Sequence, residues 1–133
     1  GCLMAGGIEI RPAHFPGRAP IDAYGNGGFR FADMSHRGSI LCLPSGIHGW
    51  NVTDSAKITL EDLSKAIEQA GEIEFLLVGT GDGMRLLPKE LRAALKEAGI
   101  SVDAMSTGAA VRTYNIMLSE SRAVAAALVA VEG

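Results

Sequence analysis

Histidine, cysteine and aromatic side chains are scarce in this chain of 133 residues, with three His, two Cys, 5% aromatics and a single Trp. Two cysteines are too few for a disulfide scaffold, so stability must come from a hydrophobic core. Cys2 lies in a glycine-rich start. Cys42 lies within Ile40-Leu41-Cys42-Leu43, where a thiol acts as a small hydrophobe. The histidines, at 14, 36 and 48, lack the i, i+4 spacing of a metal site, so no metal or other cofactor is expected. No Gly-x-Ser-x-Gly elbow is present to carry a nucleophile. The longest apolar run, Ala123 to Val131, falls far short of the roughly 18 residues of a spanning helix. The start of the chain lacks the basic residues of a signal peptide, which suggests a cytoplasmic setting. Basic residues are few as well. Twelve against fifteen acids leave a net charge of −3, and the first fifty residues hold only Arg11, Arg18, Arg30 and Arg37. No basic stripe follows, which argues against nucleic acid as a main partner.

What is present is a core-forming composition, 47% apolar, of a length suited to one domain. Residues 1–19, rich in Gly and Pro, read as an extended segment with a short strand near Ile8 to Arg11, and residues 20–133 as one α/β domain. Strand period marks Phe29 to Phe31, Ser39 to Leu43 and Ile47 to Val52, an antiparallel meander. Helix period follows at Leu60, Leu63, Ile67 and Ala70, with Thr59 as N-cap and Gly71 after the end. A fully apolar strand, Ile73 to Val78, precedes a helix from Pro88 to Ala98, and Ile100 to Met105 forms the next strand. Two closing helices are expected, Gly108 to Met117 and Glu120 to Ala130, with Ser119 capping the second. Right-handed βαβ crossovers then give a three-layer α/β domain with a mixed central sheet.

The stretch Gly79-Thr80-Gly81-Asp82-Gly83-Met84-Arg85 follows the apolar strand, and Ser106-Thr107-Gly108 follows its parallel neighbour. Both loops belong at the carboxyl edge of the sheet, the usual ligand crevice of such folds. The loop from Asn51 to Ile58 joins them if its strand is parallel to the others. Gly79, Thr80, Gly81, Arg85, Thr107, Gly108 and Arg112 are therefore candidates for binding an anionic ligand, with backbone N–H groups and a helix dipole beside two guanidinia. The glycines match neither GxGxxG nor a phosphate loop, and a plain βα connection explains them as well. Arg112 and Arg122 also suit a structural ion-pair network with Glu120, Asp82 or Asp103. Tyr114 and Asn115 read as polar handles or as helix packing, and Trp50 as a core anchor or an interface residue. The glycine cluster Tyr24 to Phe31 is read as a hairpin, since a strand and not a helix follows it.

Several segments in order carry a family resemblance: Tyr24-Gly25 to Phe29-Arg30, Arg37-Gly38-Ser39, the strand ending at Trp50, Val78-Gly79-Thr80-Gly81, Thr107 to Ala110, Arg112-Thr113-Tyr114-Asn115 and Glu120 to Ala125. Together they resemble the small domain-of-unknown-function family that includes mitochondrial complex I (NADH:ubiquinone oxidoreductase) assembly factor 3. The resemblance implies a three-layer α/β fold with a mixed sheet. It also implies a non-enzymatic role through protein partners, such as respiratory-complex subunits or another assembly factor, in the mitochondrial matrix if the source is eukaryotic. A small-molecule-binding protein or enzyme acting on an anionic ligand is the alternative. A homo-oligomeric structural role is the third option.

Overall fold

Strand period governs the chain up to residue 50 and helix period dominates after residue 59. The computed structural model, which describes residues 14–132, keeps that division except near the C-terminus. The strand expected at residues 8–11 lies outside the described residues. Six strands come first: β1 (His14–Phe15), β2 (Ile21–Gly25), β3 (Gly28–Phe31), β4 (Met34–Arg37), β5 (Ser39–Leu43) and β6 (Gly46–Trp50). β2, β3 and β4 form a separate antiparallel sheet. Its first hairpin turns at Asn26-Gly27, both at positive φ (53° and 78°), the geometry that matches the twist of paired strands. The hairpin expected from the glycine cluster is this one.

The second half supplies α1 (Ser64–Glu68), β7 (Phe75–Gly79), α2 (Lys89–Glu97), β8 (Ser101–Met105), α3 (Thr107–Ser119) and β9 (Val124–Leu128). Thr59 does cap the first helical segment. Its hydroxyl accepts the Asp62 N–H (3.3 Å) while its own N–H donates to the Asp62 carboxylate (2.9 Å). The segment is shorter than expected, a single 3-10 turn running into five α-helical residues. α2 stops at Gly99, whose φ of +87° a side chain would resist.

Residues 124–128 form a strand, not the helix expected over Glu120 to Ala130. Their alanines favour helix locally, but every residue of β9 is buried. β9 lies between β5 and β7 in a six-stranded sheet of order β1-β6-β5-β9-β7-β8. Val124, Ala126 and Leu128 enter one core while Ala125 and Ala127 enter the other, the period-2 alternation of a strand covered on both faces. Ser119 consequently caps nothing beyond it, and its hydroxyl donates back to Ile116 O (2.7 Å).

The central sheet is sandwiched. One core joins Leu76 and Val78 to Leu63, Ala66, Leu91 and Leu95, beneath α1 and α2. The other joins Leu77 and Ile40 to Ala110, Val111, Tyr114, Phe29 and Phe31, beneath α3 and the small sheet. The mixed three-layer arrangement holds, with β5 and β6 extending the central sheet and β2–β4 covering it. Trp50 anchors the first core, its Nε1–H donating to Asp62 O (2.8 Å). Asn115 joins the layers of the second: its Oδ1 accepts the Ile21 N–H (2.8 Å) and its Nδ2 donates to Ile21 O (2.9 Å).

Candidate functional site

β9 is antiparallel to β5 and parallel to β7, β7 is parallel to β8, and β6 is antiparallel to β5. Hence β6, β7, β8 and β9 all point the same way, and the segments that follow them meet at one edge. Residues 53–55, 80–85 and 129–132 line an open groove there of ≈ 720 Å³. The loop expected to join this edge, Asn51 to Ile58, does so.

Buried hydroxyls hold the edge together. Thr107 Oγ1 donates to Val129 O (2.7 Å) and accepts the Gly81 N–H (3.0 Å), while the Thr107 N–H donates to Gly81 O (2.8 Å). Thr80 Oγ1 accepts the Arg85 N–H (3.0 Å) and shares its proton between Gly83 O (2.7 Å) and Met105 O (3.1 Å). Gly79 is needed for closeness, since a Cβ there would stand 2.9 Å from Thr107 Cα. Gly81 is needed for its φ of +110°. At the start of α3, Ser106 Oγ accepts the Ala109 N–H (3.3 Å). The chain itself therefore takes several of the donors on which an anion would draw.

Of the seven sequence candidates, Thr80, Gly81 and Arg85 line the groove, and Gly79 and Thr107 form its buried support. Gly108 and Arg112 lie elsewhere. A Cβ on Gly108 would overlap the Tyr24 hydroxyl and stand 3.6 Å from Arg112 Nη1, so both residues lie beside Tyr24 of the small sheet. The two guanidinia do not converge on one groove. Asp54, Asp82 and Glu132 face the groove against Arg85 alone, all four exposed. Among the described residues the expected ion-pair network is reduced to Arg122 and Glu120 at 3.8 Å, with Arg122 also lying over the Phe75 ring (5.1 Å to its centroid). Arg112 is exposed and has no carboxylate at ion-pair distance among the described residues.

Beside the groove, the loop to α2 exposes Met84 (59%) and Leu86 (72%). These two exposed apolar side chains flank Arg85, whose N–H is bonded to Thr80, and form an apolar knob. Cys42 is buried and hydrogen-bonded to Tyr114; burial pushes its thiol up to about 12, which removes it from nucleophilic chemistry. Tyr114 is also raised by burial, with the Cys42 neighbour acting in the same direction.

A second concavity, of ≈ 380 Å³, lies on the small sheet and is lined by Tyr24, Arg30, Ser35, His36 and Arg37 among others. Sequence reasoning passed over it, because Arg30 and Arg37 become neighbours only in the β3–β4 register, where Arg30 faces Ser35 and Arg37 faces Gly28.

The family described as "Protein of unknown function (DUF498/DUF598)" matches residues 21–129, from β2 through β9. The chain belongs to this family. The chain is similar to an uncharacterised protein of Rhodobacter capsulatus, 39% identical over 92% of this chain and 94% of that one. The chain is also similar to a mouse protein named NADH dehydrogenase [ubiquinone] 1 alpha subcomplex assembly factor 3, 31% identical over 92% of this chain. The match spans 66% of the mouse protein and 59% of its human counterpart, so the chain covers less than two-thirds of these assembly factors. Among solved structures, a Bartonella henselae protein described as an outer membrane protein shares 65% identity at TM-score 0.87, over 90% of this chain and 100% of that one. A Bordetella pertussis protein described as a Mth938-like domain shares 29% identity at TM-score 0.75, over 92% of each. No helix among the described residues is long and apolar enough to cross a membrane. The stretch matched to the DUF498/DUF598 family includes most of both concavities and omits only residues 130–132 of the groove.

Proposed function

We propose that this chain is a non-enzymatic protein-interaction factor that serves the assembly of a respiratory complex of the NADH dehydrogenase type, in a cytoplasmic setting. The observation that carries the reading is the match over 92% of the chain to proteins named as assembly factor 3 of that enzyme. The carboxyl edge fits such a role. Its hydroxyls are spent on holding loops, the Cys42 thiol lies buried away from the edge, and its most exposed apolar groups, Met84 and Leu86, flank Arg85, whose backbone is bonded to Thr80. Exposed apolar side chains on a rigid support give up little entropy when a partner covers them. The alternative, an anionic ligand held by Gly79, Thr80, Gly81, Arg85, Thr107, Gly108 and Arg112, is disfavoured by three carboxylates facing Arg85 and by the separation of Arg112.

Affinity purification of the tagged chain from cells, after mild cross-linking, tests this reading. Respiratory-complex subunits or another assembly factor should be recovered, and Met84→Asp with Leu86→Asp should deplete them. Repeated recovery of neither would defeat the proposal.

A further inference from the structure

The concavity on the small sheet carries two arginines and, among the described residues of its walls, no carboxylate. Arg30 and Arg37 project from neighbouring strands at positions two residues out of direct register, where side-chain roots lie roughly 7–8 Å apart. That separation lets two guanidinia close on a single group between them. No carboxylate lines the pocket, and neither guanidinium has one at ion-pair distance among the described residues. Glu132 reaches the rim, where a Cβ placed on Gly27 would stand 3.2 Å from its Oε2 and 3.4 Å from Arg37 Nη1. The two are beyond ion-pair distance of each other.

The floor between the arginines is bare. Gly25 and Gly28 face one another across β2 and β3, and Arg37 faces Gly28 across β3 and β4. Gly28 admits no replacement, since a Cβ there would overlap the His36 carbonyl. The frame is fixed in place by hydrogen bonds from the Asn26 N–H to Glu132 O (2.9 Å), from the Gly27 N–H to Val131 O (2.8 Å) and from the Gly38 N–H to Gly27 O (2.7 Å). The Ser35 hydroxyl, directly opposite Arg30, lies within the same walls. The volume of ≈ 380 Å³ lies at the small end of the roughly 300–1,000 Å³ typical of small-molecule sites.

From this arrangement we infer that the Arg30–Arg37 pocket is a binding site for the phosphate group of a small phosphorylated molecule. Two forked guanidinia match a phosphate dianion in charge and offer paired N–H donors to its oxygens. The site is separate from the carboxyl-edge groove, so it stands or falls independently of the assembly role.

Titration of the ¹⁵N-labelled full chain with inorganic phosphate, at constant ionic strength set with chloride, tests it. Amide shifts should saturate at millimolar phosphate and cluster within residues 24–37. Arg30→Gln and Arg37→Gln should each weaken binding at least tenfold while keeping dispersed spectra, and Lys96→Gln, on the opposite layer, should leave it unchanged. Shifts that fail to saturate, that appear equally with chloride alone or that centre outside 24–37 overturn the inference. A loss below tenfold in either arginine variant does so too.

Discussion

Thr107→Val isolates what the buried hydroxyl contributes, because valine keeps the shape and removes both hydrogen bonds. The hydroxyl is fully buried; it donates to Val129 O at 2.7 Å and accepts the Gly81 N–H at 3.0 Å. Each intramolecular bond of this kind contributes a net ~1 kcal/mol, and a carbonyl left unpaired in the core costs ~1–3 kcal/mol. Val129 is buried, so its carbonyl takes that penalty, whereas half-buried Gly81 recovers part of its loss from water. The added methyl returns at most ~0.8 kcal/mol. The balance is a destabilisation of about 2 kcal/mol. With an unfolding entropy of about 2.1 cal/mol/K per residue, that lowers Tm by about 7 °C in a chain of this length. Urea unfolding followed by tryptophan fluorescence is the suitable assay, because Trp50 is buried in the core. Cm should fall with m unchanged. A loss under about 0.5 kcal/mol would refute the reasoning, since the hydroxyl would then be exchanging its partners for water at no cost.

Asn115→Ala removes the two hydrogen bonds to Ile21 and should cost about 1–2 kcal/mol, with amide exchange rising selectively over residues 21–37. Met84→Asp with Leu86→Asp should change stability by less than about 0.5 kcal/mol, as expected at exposed sites, while depleting captured partners. Cys42 should resist thiol reagents at pH 8 in the native chain and react on unfolding, read by mass spectrometry. Its folded pKa is raised from 9.0 to about 12, so between those values the folded state holds a proton that the unfolded state has lost. Stability should therefore fall as pH climbs through that window, and Cys42→Ala should flatten the slope.

Local signals were readable wherever one element's own residues decided its form. The apolar run through Leu76, Leu77 and Val78, the Thr59 and Asp62 cap and the Gly99 stop needed no tertiary information. Residues 124–128 did need it. A short apolar run has no periodicity that separates strand from buried helix, and the decision came from β5 and β7 waiting on either side. The carboxyl edge was legible from strand order. The placement of Arg112 was not, because it depends on which face of α3 meets Tyr24. Arg30 and Arg37 were invisible as a pair for the same kind of reason. Seven positions apart in sequence, they meet through the antiparallel register of β3 and β4.

The position of β9 has a consequence for how the chain is made. The strand formed last in sequence lies between β5 and β7, which have no pairing with each other. Until residues 124–128 leave the ribosome, the central sheet exists only as two halves with raw inner edges. Pairing Ile40 with Leu128 closes a loop of most of the chain, the kind of long-range contact that slows folding. Residues 124–128 must therefore be made before the domain can close. A product terminated before residue 124 would present two unpaired strand edges, β5 and β7, to any strand within reach.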